Sequence, residues 1–265
     1  MFRPEIIYKY EPCTLQSLRN LKAQAIYFGA PANFNDPYDC ALNPNVRLPS
    51  DKDLSELRSV FLKADDVPEA VKEELVRVSS DQLGELLTGC TRLILEKHAN
   101  QFLKSRGVTC FSEANNNLLM WSHYADRYRG FCLGFRTEFG PFPKIRKVQY
   151  SDFMPEIDVV AALIHNDFDQ MLDLFFSKST SWAYEKEWRC VHDTAGTVFT
   201  YPPEALDSIY FGPEIDIETL EIICLIMLGQ NPAVNLWRGR RDDREFKVHF
   251  DKFEYAPHVS IKHSS

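Results

Sequence analysis

Three short stretches hold most of the side chains that can do chemistry. The first, Asn33-Phe-Asn-Asp-Pro-Tyr-Asp39, packs Asn35, Asp36 and Asp39 into one turn-forming run. Such residues cap their own backbone in Asx-turns, and the same oxygens can hold a polar ligand. The second, Trp121-Ser-His-Tyr-Ala-Asp126, offers His123 as a general base that Asp126 would orient. The plainer alternative is a half-buried histidine, with Asp126 paired to Arg129 and with Trp121 and Tyr124 as packing. The third is Tyr184-Glu-Lys-Glu-Trp-Arg189. Glu185 and Glu187 are two apart, so extended backbone sends both to one face. Two same-side carboxylates beside Arg189 suit acid–base work or the stabilisation of a developing cation. The alternative is a charged edge strand, although Trp182, Tyr184 and Trp188 argue against a wholly solvated one.

Several common sites are absent. There is no GxGxxG, Walker, GxSxG or HExxH pattern, which counts against a Rossmann or P-loop nucleotide site and against those hydrolase classes. The seven cysteines are scattered without a CxxC pair and read as reduced core thiols. A net charge of −8 argues against broad phosphate-backbone binding while leaving room for a local basic patch. No apolar run approaches the roughly 20 residues that span a bilayer, and the N-terminus lacks a signal-peptide pattern, so a cytoplasmic, membrane-free protein is expected.

The elements that must position these clusters follow from patterning. Ile6–Tyr10 reads as a strand. Thr14 caps a helix carrying Leu15, Leu18 and Leu21, and Ala25–Phe28 is a second strand. Residues 51–106 form a helical block, expected as an insertion. Val108–Phe111 and Phe131–Phe135 are buried strands, and they flank a helix over Leu118–Arg129 with Gly130 as its left-handed cap. Further on come a strand near Lys144–Tyr150 and a helix over Ile157–Phe176 that includes Phe168. Strands follow at Glu187–His192, Val198–Tyr201 and Ser208–Gly212, then a helix over Ile217–Leu228 stopped by Gly229. Glu245–Phe250 is the last strand, and His258 and His263 fall in a tail. Short strands mixed with helices, without a regular βαβ rhythm, give an α+β fold. A single domain over 1–265 is expected.

At the same clusters the chain resembles the bacterial domain of unknown function 2971 family. The resemblance rests on IIYKY at 6–10, IYFGAPANFNDPYD at 26–39, VTCFSEANNNLLMWSHYADRYRGFCLGF at 108–135 and WAYEKEWR at 182–189. The family is named for lacking an assigned function. Its layout is similar to the ADP-ribosyltransferase fold, in which NAD lies in a cleft between small sheets without a Gly-rich loop. By position, that similarity puts Tyr8 or Tyr10 and Lys9 on the first strand, Ser112 after a middle strand, and Glu185 or Glu187 as the late carboxylate. This sequence departs from that fold in lacking a clear His or Arg on strand one and a Ser-Thr-Ser run.

The resulting expectation is an NAD-using transferase-like enzyme. Glu187 would stabilise positive charge on the ribose, Glu185 would polarise an acceptor, and Tyr10 would contact the ligand. Asn35, Asp36, Ser112 and His123 would shape the pocket, with Lys9, Tyr124 and Arg189 as further ligand contacts. The ligand would be a small nucleotide; whether the acceptor is a protein or a nucleic acid stays open. The alternatives are a non-enzymatic binding or sensing module and a metal-dependent nuclease or hydrolase built on Asp36, Asp39, Glu185 and Glu187.

Overall fold

The computed structural model describes residues 3–40, 45–165 and 169–257; Phe168, His258 and His263 lie outside them. In chain order come β1 (Ile6–Glu11), α1 (Leu15–Lys22), β2 (Ala25–Tyr27), β3 (Asn45–Val46), α2 (Asp51–Lys63), α3 (Glu69–Arg77) and α4 (Ser80–Ser105). Then follow β4 (Gly107–Ser112), α5 (Leu118–Tyr124), β5 (Phe131–Arg136), β6 (Arg146–Lys147), β7 (Gln149–Ser151), β8 (Glu156–Ile157), α6 (Val159–His165) and α7 (Asp169–Asp173). The last are β9 (Ser177–Ser179), β10 (Glu187–His192), β11 (Val198–Thr200), β12 (Leu206–Phe211), α8 (Ile217–Gln230), β13 (Asn235–Arg241) and β14 (Val248–Phe253). The fold is α+β. Its contacts gather into two compact units, one of Met1–Gly29, Arg106–Val148 and Ser181–Ser265, the other of Ala30–Ser105 and Gln149–Thr180. The helical block falls in the second unit.

The first unit is built on a sheet ordered β14-β13-β12-β5-β1-β4-β10-β6. Its pairings are antiparallel except β12 with β13. One face carries Ile7, Leu133, Phe135, Ile209 and Phe211, all nearly inaccessible, and packs with Leu21, Ile223 and Met227 from α1 and α8. Fully burying each such side chain is worth about 1.5–3 kcal/mol. Thr14 caps α1 as expected, accepting from the Ser17 amide at 3.1 Å.

Some boundaries differ from the sequence reading. α5 ends at Tyr124 rather than Arg129, and Asp126, Arg127 and Tyr128 take positive φ values of 44°, 54° and 72°. The left-handed turn is held by the Tyr128 amide on the Trp121 carbonyl at 3.1 Å and the Gly130 amide on that of Ala125 at 2.8 Å. Gly130 is needed for close approach rather than for a left-handed cap: a Cβ there would collide with the Glu11 carbonyl oxygen. Gly229 lies inside α8 and does not end it. The Ile157–Phe176 stretch is interrupted, with β8, α6, α7 and a 3-10 turn in place of one helix. The final strand is shifted to Val248–Phe253, and β13 is an addition that its Arg-rich, glycine-containing sequence did not announce.

The second unit packs Leu54, Leu57, Leu75, Leu83 and Val160 into its own core. Ser50 and Asp53 form a capping box at the start of α2, where each side chain meets the other's backbone N–H. Lys178 and Asp39, both buried, pair at 3.0 Å.

Candidate functional site

Residues opposed across neighbouring strands send their side chains to the same side of a sheet. On the face away from α1 and α8, this rule builds a transverse row. Glu187 on β10 opposes Ser112 on β4, and Ser112 opposes Tyr8 on β1. Tyr8 opposes Gly134 on β5, which opposes Ser208 on β12. Tyr10 lies on the same face, where Met120 and Trp121 of α5 and Ala125 just after it cover it. Lys9 alternates to the other face, where its ammonium lies 5.8 Å from the Phe111 ring centroid and 3.4 Å from Glu11. The sheet therefore separates Lys9 from Tyr10, Ser112 and Glu187.

The polar loop after β4 is held by the aromatic residues around it. Tyr10 donates to the Ala114 carbonyl at 2.8 Å, and the Trp121 indole donates to that of Asn115 at 2.7 Å. Asn117 caps α5 through the Leu119 and Met120 amides, while its own amide nitrogen reaches the Tyr184 carbonyl at 3.0 Å. Ser112, fully buried, donates to the Glu185 carbonyl at 2.6 Å and accepts from the Ala114 amide. Ser112 is thus the meeting point of the two glutamates: Glu185 touches it through backbone, and Glu187 faces it across the ladder.

The two carboxylates are not on one extended segment. Glu185 closes a 3-10 turn over Thr180–Glu185, and Lys186 takes a left-handed φ of 45° before β10 begins at Glu187. The i, i+2 rule of a strand therefore does not apply between them. Glu187 and Arg189 do obey it: both sit on one face of β10, and the carboxylate takes Nε at 2.7 Å and Nη2 at 2.8 Å. Arg189 is completely inaccessible and Glu187 only 4% exposed. Glu185, equally buried, accepts from the Tyr124 hydroxyl at 2.6 Å. Glu113 accepts from the Trp188 indole and the Lys147 ammonium. Burial pushes its pKa up, but those two donors outweigh it and hold the carboxyl below the usual range.

His123 is exposed, and its Nδ1 lies 3.1 Å from the Tyr184 hydroxyl. Its orienting partner is Tyr184 and not Asp126, which pairs with Arg129 at 2.8 Å. The His123 ring also meets those of Tyr124, Trp182 and Tyr184 at centroid distances of 6.2–6.3 Å. Trp182 and Tyr184 sit 5.9 Å apart. A half-exposed aromatic cluster therefore adjoins the Tyr124–Glu185 hydrogen bond. Tyr8 and Tyr10 have pKa values raised above the ordinary phenol range, mainly by burial, so both act as donors rather than bases.

Asn35 and Asp36 belong to the second unit. Asp36 accepts from the Tyr38 amide at 2.9 Å, an Asx-turn, and Asn35 is exposed. Among the described residues no group of three His, Cys, Asp or Glu side chains is placed to hold a metal ion. Among them, too, no helix is long and apolar enough to cross a membrane. A cavity of about 300 Å³ lies where α8 ends against β13 and β14, lined by Met227, Leu236 and Phe253 among others. None of the expected site residues lines it. Sequence reasoning undervalued Asn117 and Tyr184, whose signal was their place inside polar-aromatic runs rather than any motif.

Fold and site together define an α+β protein with two buried glutamates, one on the sheet and one on the turn before it, beside an aromatic cluster. Residues 120–190 match the family model described as "Protein of unknown function (DUF2971)", which supports the domain-of-unknown-function family over that stretch. The stretch holds His123, Tyr124, Glu185, Glu187 and Arg189. Comparison with curated proteins and with solved structures gives no match.

Proposed function

We propose that the first unit is an NAD-using transferase of the ADP-ribosyltransferase kind, in which Glu185 rather than Glu187 is the carboxylate that meets the ligand. One observation carries this reading: the buried Glu185 carboxylate, oriented by Tyr124 at 2.6 Å, adjoins the solvent-reaching cluster of His123, Trp182 and Tyr184. A planar cationic ring such as nicotinamide is attracted to aromatic faces. When that ring leaves, positive charge develops on the ribose, and a fixed carboxylate in a dry setting stabilises it. Tyr124 would hold the carboxylate in place, and His123 would accept a proton from the acceptor. Glu187 has a different part: with both oxygens on Arg189, it braces β10 and through it the Glu185 turn. The acceptor is either a protein or a nucleic acid.

Purified protein incubated with NAD should release nicotinamide, and Glu185→Gln should abolish the release while leaving the melting temperature close to that of the parent. Absence of release from the parent chain, together with no NAD-induced thermal shift, would rule the reading out. The Glu187–Arg189 pair favours a second reading, a non-enzymatic binding module whose polar cluster is an internal brace. On that reading the Glu185 and Glu187 variants lose stability together and no turnover is measured.

A further inference from the structure

The face of the sheet that carries Tyr8 extends onto β12, β13 and β14. There Tyr210, Trp237 and Lys252 oppose one another in a second transverse row. Tyr210 and Trp237 are stacked, with centroids 5.9 Å apart and planes 13° from parallel. Tyr8 meets Tyr210 edge-on, also at 5.9 Å. The three rings are only half-buried, and Lys252 is exposed. Arg241 follows on the same side of β13, tied to Glu214 at 2.9 Å. By strand alternation Arg241 and Lys252 are the basic residues of β13 and β14 on this face, while Arg238 and Arg240 point to the other.

Rings in line on a sheet, ending beside an ammonium, match the chemistry of unpaired nucleotides, whose bases stack on aromatic faces while phosphates meet Lys and Arg. A duplex keeps its base faces stacked and would offer only its backbone, which an acidic chain attracts poorly. We infer that the β12–β14 face binds a single-stranded nucleic-acid segment, with one base on Trp237 and the adjoining phosphate at Lys252. This inference does not depend on NAD turnover, since it concerns binding alone.

The test is fluorescence anisotropy of a short labelled oligodeoxynucleotide with the full chain at low and moderate salt. Trp237→Leu should weaken binding by about five-fold or more, and Trp237→Phe should recover most of the loss. Lys252→Ala should reduce the slope of log affinity against log salt by about one. If Trp237→Leu fails to fold, Trp237→Phe and Lys252→Ala decide the matter. The inference is overturned if the parent chain does not bind at low salt, or if Lys252→Ala leaves affinity and salt slope unchanged. A duplex binding as tightly as the single strand would also overturn it, as would free AMP displacing the strand at equal nucleotide concentration.

Discussion

Glu187 grips Arg189 through both carboxylate oxygens, at 2.7 and 2.8 Å, from two positions back on the same strand. Because Arg189 has no solvent access, its charge depends on protein partners. Truncating Glu187 to Ala removes a bidentate partner of a buried guanidinium and should cost about 3–5 kcal/mol. Thermal or urea melts measure this directly. A variant as stable as the parent would mean that the pair does not brace β10.

Tyr124→Phe isolates the other carboxylate. It removes the hydroxyl that Glu185 accepts at 2.6 Å while keeping the ring. Leaving a buried acceptor short of a donor costs about 1–3 kcal/mol. If the transferase reading holds, nicotinamide release should fall more steeply than stability, since the carboxylate loses its orientation as well. Equal loss in both would favour the internal-brace reading.

Thiol reactivity should be selective. None of the seven cysteines, all of them among the described residues, is in a disulfide, and Cys90 alone is exposed. Burial raises the thiol pKa of Cys13 to about 11 and that of Cys224 to about 12, and that of Cys132 goes well above its ordinary value. The thiolate is the reactive form, so a disulfide reagent at mildly alkaline pH should label Cys90 first, read by mass spectrometry of digested protein. Early labelling of Cys132 or Cys224 would contradict the packing described.

Asp242 sets an acid limit on the β13–β14 hairpin. It accepts from the Arg244 and Glu245 amides and lies 2.6 Å from His249 Nε2, and these hydrogen bonds lower its pKa to about 2. A carboxyl depressed in the folded state stabilises above its unfolded pKa, and that contribution fades as pH falls through the folded value. The stabilisation should therefore be full above the ordinary 3.8 and be lost towards pH 2. Asp242→Asn should remove that pH dependence in the hairpin's amide exchange or NMR shifts.

Much of the framework was legible from local chemistry. β4 and β5 are apolar runs bounded by turn formers, and Thr14 announces the start of α1 because its side-chain oxygen reaches the Ser17 amide within one turn. Features that depend on remote backbone were not. β13 exists because β12 and β14 flank it and Gly239 lets the Phe211 carbonyl approach, none of which NLWRGRR discloses. Gly130 looked like a cap and is instead a point of contact with the Glu11 carbonyl.

The same division runs through the candidate site. Residue types and spacing singled out the three polar-aromatic clusters and put Arg189 beside the glutamates, but the expected shared face of Glu185 and Glu187 is broken by the 3-10 turn and the left-handed Lys186 between them. Strand pairing, however, is set by which apolar faces can be buried together, and that is a property of the whole sheet. It alone placed Lys9 opposite to Tyr10, brought Ser112 against both glutamates, and put Asn35 and Asp36 in a separate unit. It also gave Tyr184, rather than Asp126, to His123.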